Sequence, residues 1–318
     1  MLPSLARRLR RKFLFMFSIV VGVAFFSADA LVAQQNSSWK QDLLTWRAQH
    51  AAELQKPDGW LALAGLVWLE PGNNSMGSAA DNKLRLPEGG PAHVGVLHLE
   101  GTTVSLRPPV GSGFPDGLMV DGKAAQAQDL HTSSDNDKGN PRMTVGSLNF
   151  YAVRRGERFA LRIKDAKAPT LVGFHGLKWY PPNAHYRVRA KWVPYDPPKT
   201  IQLATMIGTA YDAPVPGAAE FQLDGKTYHL EPVTEEKPPV KLFFILKDTT
   251  SASTTYGACR FLYTALPPGG LDKPGELVLD FNHLENPPCA YTPFATCPLP
   301  PATNRMKVAL PVGELRYH

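Results

Sequence analysis

The sequence has no G-x-S-x-G elbow, no H-E-x-x-H pair, no P-loop and no G-x-G-x-x-G turn after a strand. The familiar serine hydrolases, zincins, nucleotide enzymes and dinucleotide enzymes are therefore not indicated. Cysteine is scarce, three in 318 residues, with no C-x-x-C pair and no His doublet beside them. A zinc or copper site needs more ligands at workable spacing, so no metal site is expected, and no motif implies a cofactor. Long apolar runs are missing too. "FLFMFSIVVGVAFF", Phe13 to Phe26, falls short of the roughly 20 residues of a membrane span.

That run does fit the core of a secretory signal peptide, about 7–15 residues behind a basic cluster. Arg7, Arg8, Arg10, Arg11 and Lys12 supply the cluster, and Ala28-Asp29-Ala30 supplies small residues at the cut, with Ala33 as a second position. The expectation is a signal peptide over 1–30 and an exported protein, periplasmic or extracellular. The alternative is an uncleaved N-terminal anchor holding the same globular part outside the cytoplasm. No cysteine lies near the cut, which excludes a lipoprotein. "RRKFLF" also resembles a twin-arginine signal, but Leu9 and Phe15 depart from that pattern.

The leader holds five basic residues and one acid, so its removal takes the net charge from +6 to +2. A nucleic-acid binder should keep a basic patch in its folded part, so nucleic acid is excluded as a partner. No membrane span is expected after cleavage. Hydrophobic content of 43% and charged content of 19% describe a globular chain. Thirty prolines and 26 glycines promise many turns and short elements.

"WKQDLLTWRAQHAAELQ" spaces Trp39, Leu43, Trp46 and Leu54 at close to helical period, with Ser38 as N-cap and Pro57-Asp58-Gly59 as the stop. Beyond it the pattern turns to strands. "GWLALAGLVWLEPG" reads as a buried strand closed by Pro-Gly. Hairpins are expected around Glu100-Gly101, Arg155-Gly156 and Asp224-Gly225. "HYRVRAKWVPY" alternates apolar with basic residues, a half-buried strand, and "VKLFFILKD", "CRFLYTAL" and "ELVLDFN" supply more. The fold class is all-β, mostly antiparallel and sandwich- or barrel-like, with one N-terminal α-helix after the signal peptide. "KDAKAP" (Lys164 to Pro169) reads as a joint. It would separate a helix plus β unit over 38–165 from a C-terminal β unit over 166–318, unless the two form one continuous domain.

Polar groups that could do chemistry concentrate in the C-terminal half. "KDTTSASTTYGACRFLY" carries Asp248, Tyr256 and Arg260, and "LDFNHLENPPC" carries Asp280, Asn282, His283 and Asn286. Loops leaving strands are where sites are usually carried. Arg260 would anchor a small polar or anionic ligand, with Asp248, Asp280, Asn282 and Asn286 lining the site. An unrecognised hydrolase or lyase would use Asp248 or Asp280 as base with His283 or Tyr256 as partner. The remaining alternative is a purely structural envelope protein in which these groups fix a corner of the sheet.

"GWLALAGLVWLEPGNNSMGS", "FHGLKWYPP", "DTTSASTTYGACRFL" and "LDFNHLENPPCAYTPFATCPLPPATNR", with Gly313-Glu314, resemble an uncharacterised bacterial and archaeal family, domain of unknown function 1684. The resemblance implies no activity. Asp248, Thr250, Tyr256, Arg260, Asp280, Asn282, Asn286, Pro287, Cys289, Tyr291, Cys297, Pro298 and Asn304 match its pattern. Ala252 and Cys259 stand where the family has glycine, and Glu285 where an aromatic is usual.

Three cysteines in an exported chain allow one bridge and one leftover thiol. Cys289 and Cys297 share the proline-rich stretch and the family pattern, so a Cys289–Cys297 disulfide is expected, with reduced, packed thiols as the alternative. The prolines would pack inside the chain against Trp179, Tyr180, Tyr186, Trp192 and Tyr195, which otherwise could form a stacking platform for sugar rings or other flat ligands.

Overall fold

The computed structural model describes residues 37–132 and 139–317. The leader expected over 1–30 lies outside the described residues. Two compact units divide between Gln49 and His50. The helix α1 runs over 37–54, so Ser38 sits in its first turn instead of capping it. Among the described residues, no helix is long and apolar enough to cross a membrane.

From His50 onward the chain is mostly antiparallel β-sheet, as the alternation predicts. Eleven strands come first: β1 (Leu63–Trp68), β2 (Gly72–Gly77), β3 (Leu84–Arg85), β4 (Gly95–Glu100), β5 (Thr103–Arg107), β6 (Met119–Val120), β7 (Lys123–Ala124), β8 (Gln128–Leu130), β9 (Met143–Val145), β10 (Leu148–Arg155) and β11 (Arg158–Asp165). They form a six-stranded sheet, β1-β11-β10-β9-β6-β7, and a five-stranded sheet, β3-β2-β4-β5-β8. Phe159, Leu161 and Ile163 point from β11 into one core with Leu97, Leu106 and Phe150. The opposite face of β11 carries Arg158, Arg162 and Lys164, as period-2 alternation requires.

Six strands follow: β12 (Arg187–Ala204), β13 (Ala210–Leu223), β14 (Lys226–Leu230), β15 (Lys241–Leu246), β16 (Arg260–Ala265) and β17 (Gly275–Asp280). They make a four-stranded sheet, β14-β13-β12-β17, and a separate β15-β16 pair. The expected hairpins are present. Leu223 pairs with Lys226 across Asp224 and Gly225, both at positive φ, the backbone of a tight two-residue turn. In β12, Ala190 and Trp192 are buried while Arg187, Arg189 and Lys191 are exposed. The β12–β13 ladder slips between Pro194 and Lys199, where Pro194, Pro197 and Pro198 have no N–H to give it.

The proline-cysteine stretch lies against both groups of strands. Thr292 donates from Oγ1 to Leu63 O of β1 at 3.1 Å, and the guanidinium groups of Arg155 and Arg162 reach Thr296 Oγ1 at 3.5 and 3.4 Å. On the other side Leu299 N–H donates to Ala204 O at 2.8 Å. Ala295 and Cys297 join a core with Leu203, Val215, Phe243 and Phe261. Of the expected aromatic cover, Tyr195 packs against this core, alongside aliphatic side chains, Phe243, Phe261 and Tyr263. Trp192 is sealed in another core with its indole N–H on Leu271 O at 3.0 Å, so no five-membered stacking platform forms.

Asn304 ties two of these elements. Its Oδ1 accepts from Glu231 N–H at 2.9 Å, and its Nδ2 donates to Glu231 O at 2.8 Å and Ile245 O at 3.0 Å. Because the residue is buried, an Asn304→Ala change strands three backbone groups. Urea unfolding should show a loss of about 3 kcal/mol.

Candidate functional site

The residues singled out by sequence fall into three separate places. Asp248 and Arg260 are joined by a buried ion pair, both side chains fully shielded. Asp248 Oδ1 accepts from Thr250 N–H (2.9 Å), Thr250 Oγ1 (2.7 Å) and Leu310 N–H (3.2 Å). Arg260 also donates to Val312 O (2.6 Å) and Leu310 O (3.0 Å). A buried charge persists when its partner and neighbouring backbone occupy its hydrogen-bonding sites. Here those neighbours belong to the 310–312 segment, so the pair pins the C-terminal segment. Arg260 as ligand anchor and Asp248 as base are thus displaced, because neither reaches solvent.

Asp280, Asn282 and His283 gather at the exit of β17. Asp280 Oδ1 caps the short 3₁₀ turn Phe281–His283 by accepting from Asn282 N–H at 3.1 Å and Nδ2 at 2.8 Å. Its Oδ2 lies 3.5 Å from His283 Nδ1 and 3.6 Å from Arg187 Nε. Asn282 is buried and exchanges two bonds with the backbone of Asn183. Tyr256 donates to Cys289 O at 3.1 Å, and burial raises its phenol well above the ordinary value. It is a fastener of the proline-cysteine stretch.

Asn286 leads to a third place, which holds residues that sequence reasoning did not select. Its N–H and Nδ2 donate to Glu314 Oε2 and Oε1, both at 2.8 Å, and Tyr291 OH donates to Oε1 at 2.5 Å. Three donors compensate the burial of this carboxylate. Glu314 is positioned by a backbone bond to Leu284 O at 2.8 Å and by Gly313. The Gly313 φ is +79°, and a Cβ there would stand 2.5 Å from Leu284 O. Only glycine permits that approach.

His50 sits between two carboxyl groups: Nδ1 is 3.3 Å from Glu285 Oε2, and Nε2 is 3.6 Å from Glu314 Oε2. The last turn of α1 places it there. Leu54 packs with Leu61 and Tyr291, and the ring meets Trp179 edge-on at 5.9 Å. Glu285 is fixed from behind, since its N–H and C=O both bond Phe261 of β16, at 3.0 and 2.9 Å.

His50 and Glu285 line a cleft of about 370 Å³ whose other walls include Glu53, Lys56, Asp58, Trp60 and Lys164. Burial and the nearby Glu314 charge push the Glu285 carboxyl up to about 7, against the opposing pull of His50, Lys241 and His283. Burial would lower His50, but the carboxylates of Glu314 and Glu285 beside it raise it above the ordinary value. The two groups are in contact, and both are raised above their ordinary values. Among the described residues there is no cluster of three or more His, Cys, Asp or Glu arranged to hold a metal ion.

The three cysteines are free thiols, so the expected Cys289–Cys297 bridge is not formed in this structure. The two are nonetheless adjacent, with Cys289 N–H directed at Cys297 Sγ at 3.2 Å.

Residues 172–315 match the model of a family described as Protein of unknown function (DUF1684). The resemblance read from the sequence holds over this segment, while "GWLALAGLVWLEPGNNSMGS" lies before it. Glu285 and Glu314 fall inside the match and His50 outside. The chain is also similar to an uncharacterised protein of Haloarcula marismortui solved by NMR, 29% identical over 45% of this chain and 78% of that one, with a TM-score of 0.37. No curated protein matches.

The buried pair gives a direct test of its role. Asp248→Ala leaves Arg260 charged and unpaired, and denaturant unfolding should show about 3–5 kcal/mol of lost stability. Adding Arg260→Met should restore much of it.

Proposed function

We infer that a DUF1684 segment supplying Glu285 and Glu314, and a preceding helix supplying His50, together form a binding site for a small polar ligand in the His50–Trp60 cleft. Glu285 and His50 are its proton-exchanging pair. The observation that carries this reading is the 3.3 Å contact between His50 and Glu285 at the floor of the cleft. Glu314 acts on His50 from the buried side, as an orienting carboxylate does in acid–base sites. Because two proton-exchanging groups face one cleft, a hydrolase or lyase is the enzyme form of this reading, with Glu285 and His50 in the roles first given to Asp280 and His283. In a purely structural protein the pair would titrate without responding to any ligand.

The folded part is placed outside the cytoplasm in the same proposal, supported by the basic cluster and apolar run ahead of residue 30. There, a disulfide oxidant would take two electrons and two protons from Cys289 and Cys297. The loop so closed would contribute about 2.5 kcal/mol in the chain-entropy description. Protein isolated from an oxidising compartment and denatured without reductant should then offer one alkylatable thiol by intact mass. Three such thiols would remove the bridge from the proposal.

Glu285 supplies the pH test. Its folded value near 7 lies above the ordinary 4.5, so between these values the folded form holds a proton that the unfolded form has lost. Stability therefore falls as pH rises through that window, and the raised His50 adds a fall in the same direction as pH climbs above 6.5. The melting temperature should decline from pH 5 to 8, and Glu285→Gln should flatten the decline. Carboxyl-carbon NMR should place Glu285 near pH 7; titration at an ordinary carboxylate pH would dismiss the proton-exchanging pair.

A further inference from the structure

We infer that the cleft takes a neutral, hydroxyl-bearing ring, a sugar, with its apolar face against the Trp60 indole and its hydroxyls on Glu285 and His50. This deepens the reading above and rests on it. Trp60 is 38% exposed and lines the cleft. The rest of the lining is mostly charged or polar, so Trp60 is its one large apolar face.

Two contrasts within the molecule narrow the ligand. The neighbouring Trp68 ring is already capped by the Arg158 guanidinium at 3.8 Å. Around Trp60, Arg162 and Lys164 stand 5.8 Å from the ring centroid, close to the 6 Å limit of cation–π attraction. Both lie over the ring at the outer edge of that range, so Trp60 is covered more loosely than Trp68.

The second contrast is charge. Two ammonium groups, Lys56 and Lys164, face three carboxyl groups, Glu53, Asp58 and Glu285. Lys56 and Glu53 already pair at 2.6 Å, and Lys164 donates to Asp58 O. An anion would meet the carboxylates and a cation the lysines. A hydroxyl both donates and accepts, so a polyol satisfies both signs at once.

Gly59 sets the indole in place. A Cβ at this position would fall 2.6–2.9 Å from the carbonyls of Leu54, Glu53 and Lys56, so only glycine lets the chain fold back on the helix end and present Trp60. The volume lies at the small end of ligand pockets, about 300–1,000 Å³, which suits one or two rings.

The test uses the full chain on an array of neutral and charged glycans, followed by saturation-transfer NMR with any neutral glycan retained. Phosphate and acetate serve as comparison probes against the His50 ring resonances. Binding of a neutral sugar is expected, weakened about tenfold or more in Trp60→Ala and about threefold or less in Trp60→Phe. Circular dichroism of each variant checks folding, and sugar-induced shifts of His50 in the unaltered protein give a readout independent of the variants. No neutral glycan bound, with His50 shifting in phosphate or acetate, overturns the sugar and keeps the cleft as an anion site. No response to any probe, with Glu285 titrating ordinarily, overturns the sugar together with the cleft reading. A sugar bound equally by Trp60→Ala overturns the stacking role.

Discussion

The Asp248–Arg260 ion pair is the constraint on which the site depends. Moving two charges out of water is costly, and the molecule offsets that cost by bringing the 310–312 backbone to them. Once that segment is held, Gly313 and Glu314 follow in register beside Leu284, and Glu314 takes up the amide of Asn286. Glu285 is left between β16 and His50. A fully internal interaction thus determines where the desolvated carboxyl group at the cleft stands.

The site is correspondingly layered. Glu314 is shielded and saturated with donors, so it fixes His50 and leaves Glu285 to face the cleft. Two carboxyl groups flanking one imidazole divide the labour, because one is anchored by hydrogen bonds and the other is desolvated with fewer partners. This division of environments separates groups that orient from groups that exchange protons.

Much of the fold was legible in the sequence. Alternation in Phe159, Leu161 and Ile163, and the Asp224-Gly225 turn, are local signals, and local signals survive folding unchanged. Asp248 and Arg260 were read as residues of a ligand site, and their buried pairing was not visible, since it depends on residues 310–312 arriving from another segment. His50 gave no signal at all: a histidine on an amphipathic helix looks like solvent-facing decoration. Glu285 did give one. It stands where the family pattern has an aromatic, and a charge in place of a buried ring needs a partner, which only the fold identifies as His50.

His50 and Glu314 stand far apart in sequence, and the proline-cysteine stretch seats itself on β1, β10 and β11 as well as on β12. Closing loops of this length is slow compared with forming hairpins. Strands β10 and β11 pair across a two-residue turn, whereas the surroundings of His50 are complete only once segments distant in sequence have docked. Hairpins here rest on local pairing and the cleft on contacts distant in sequence, so the chain's topology makes the cleft the slower of the two to form.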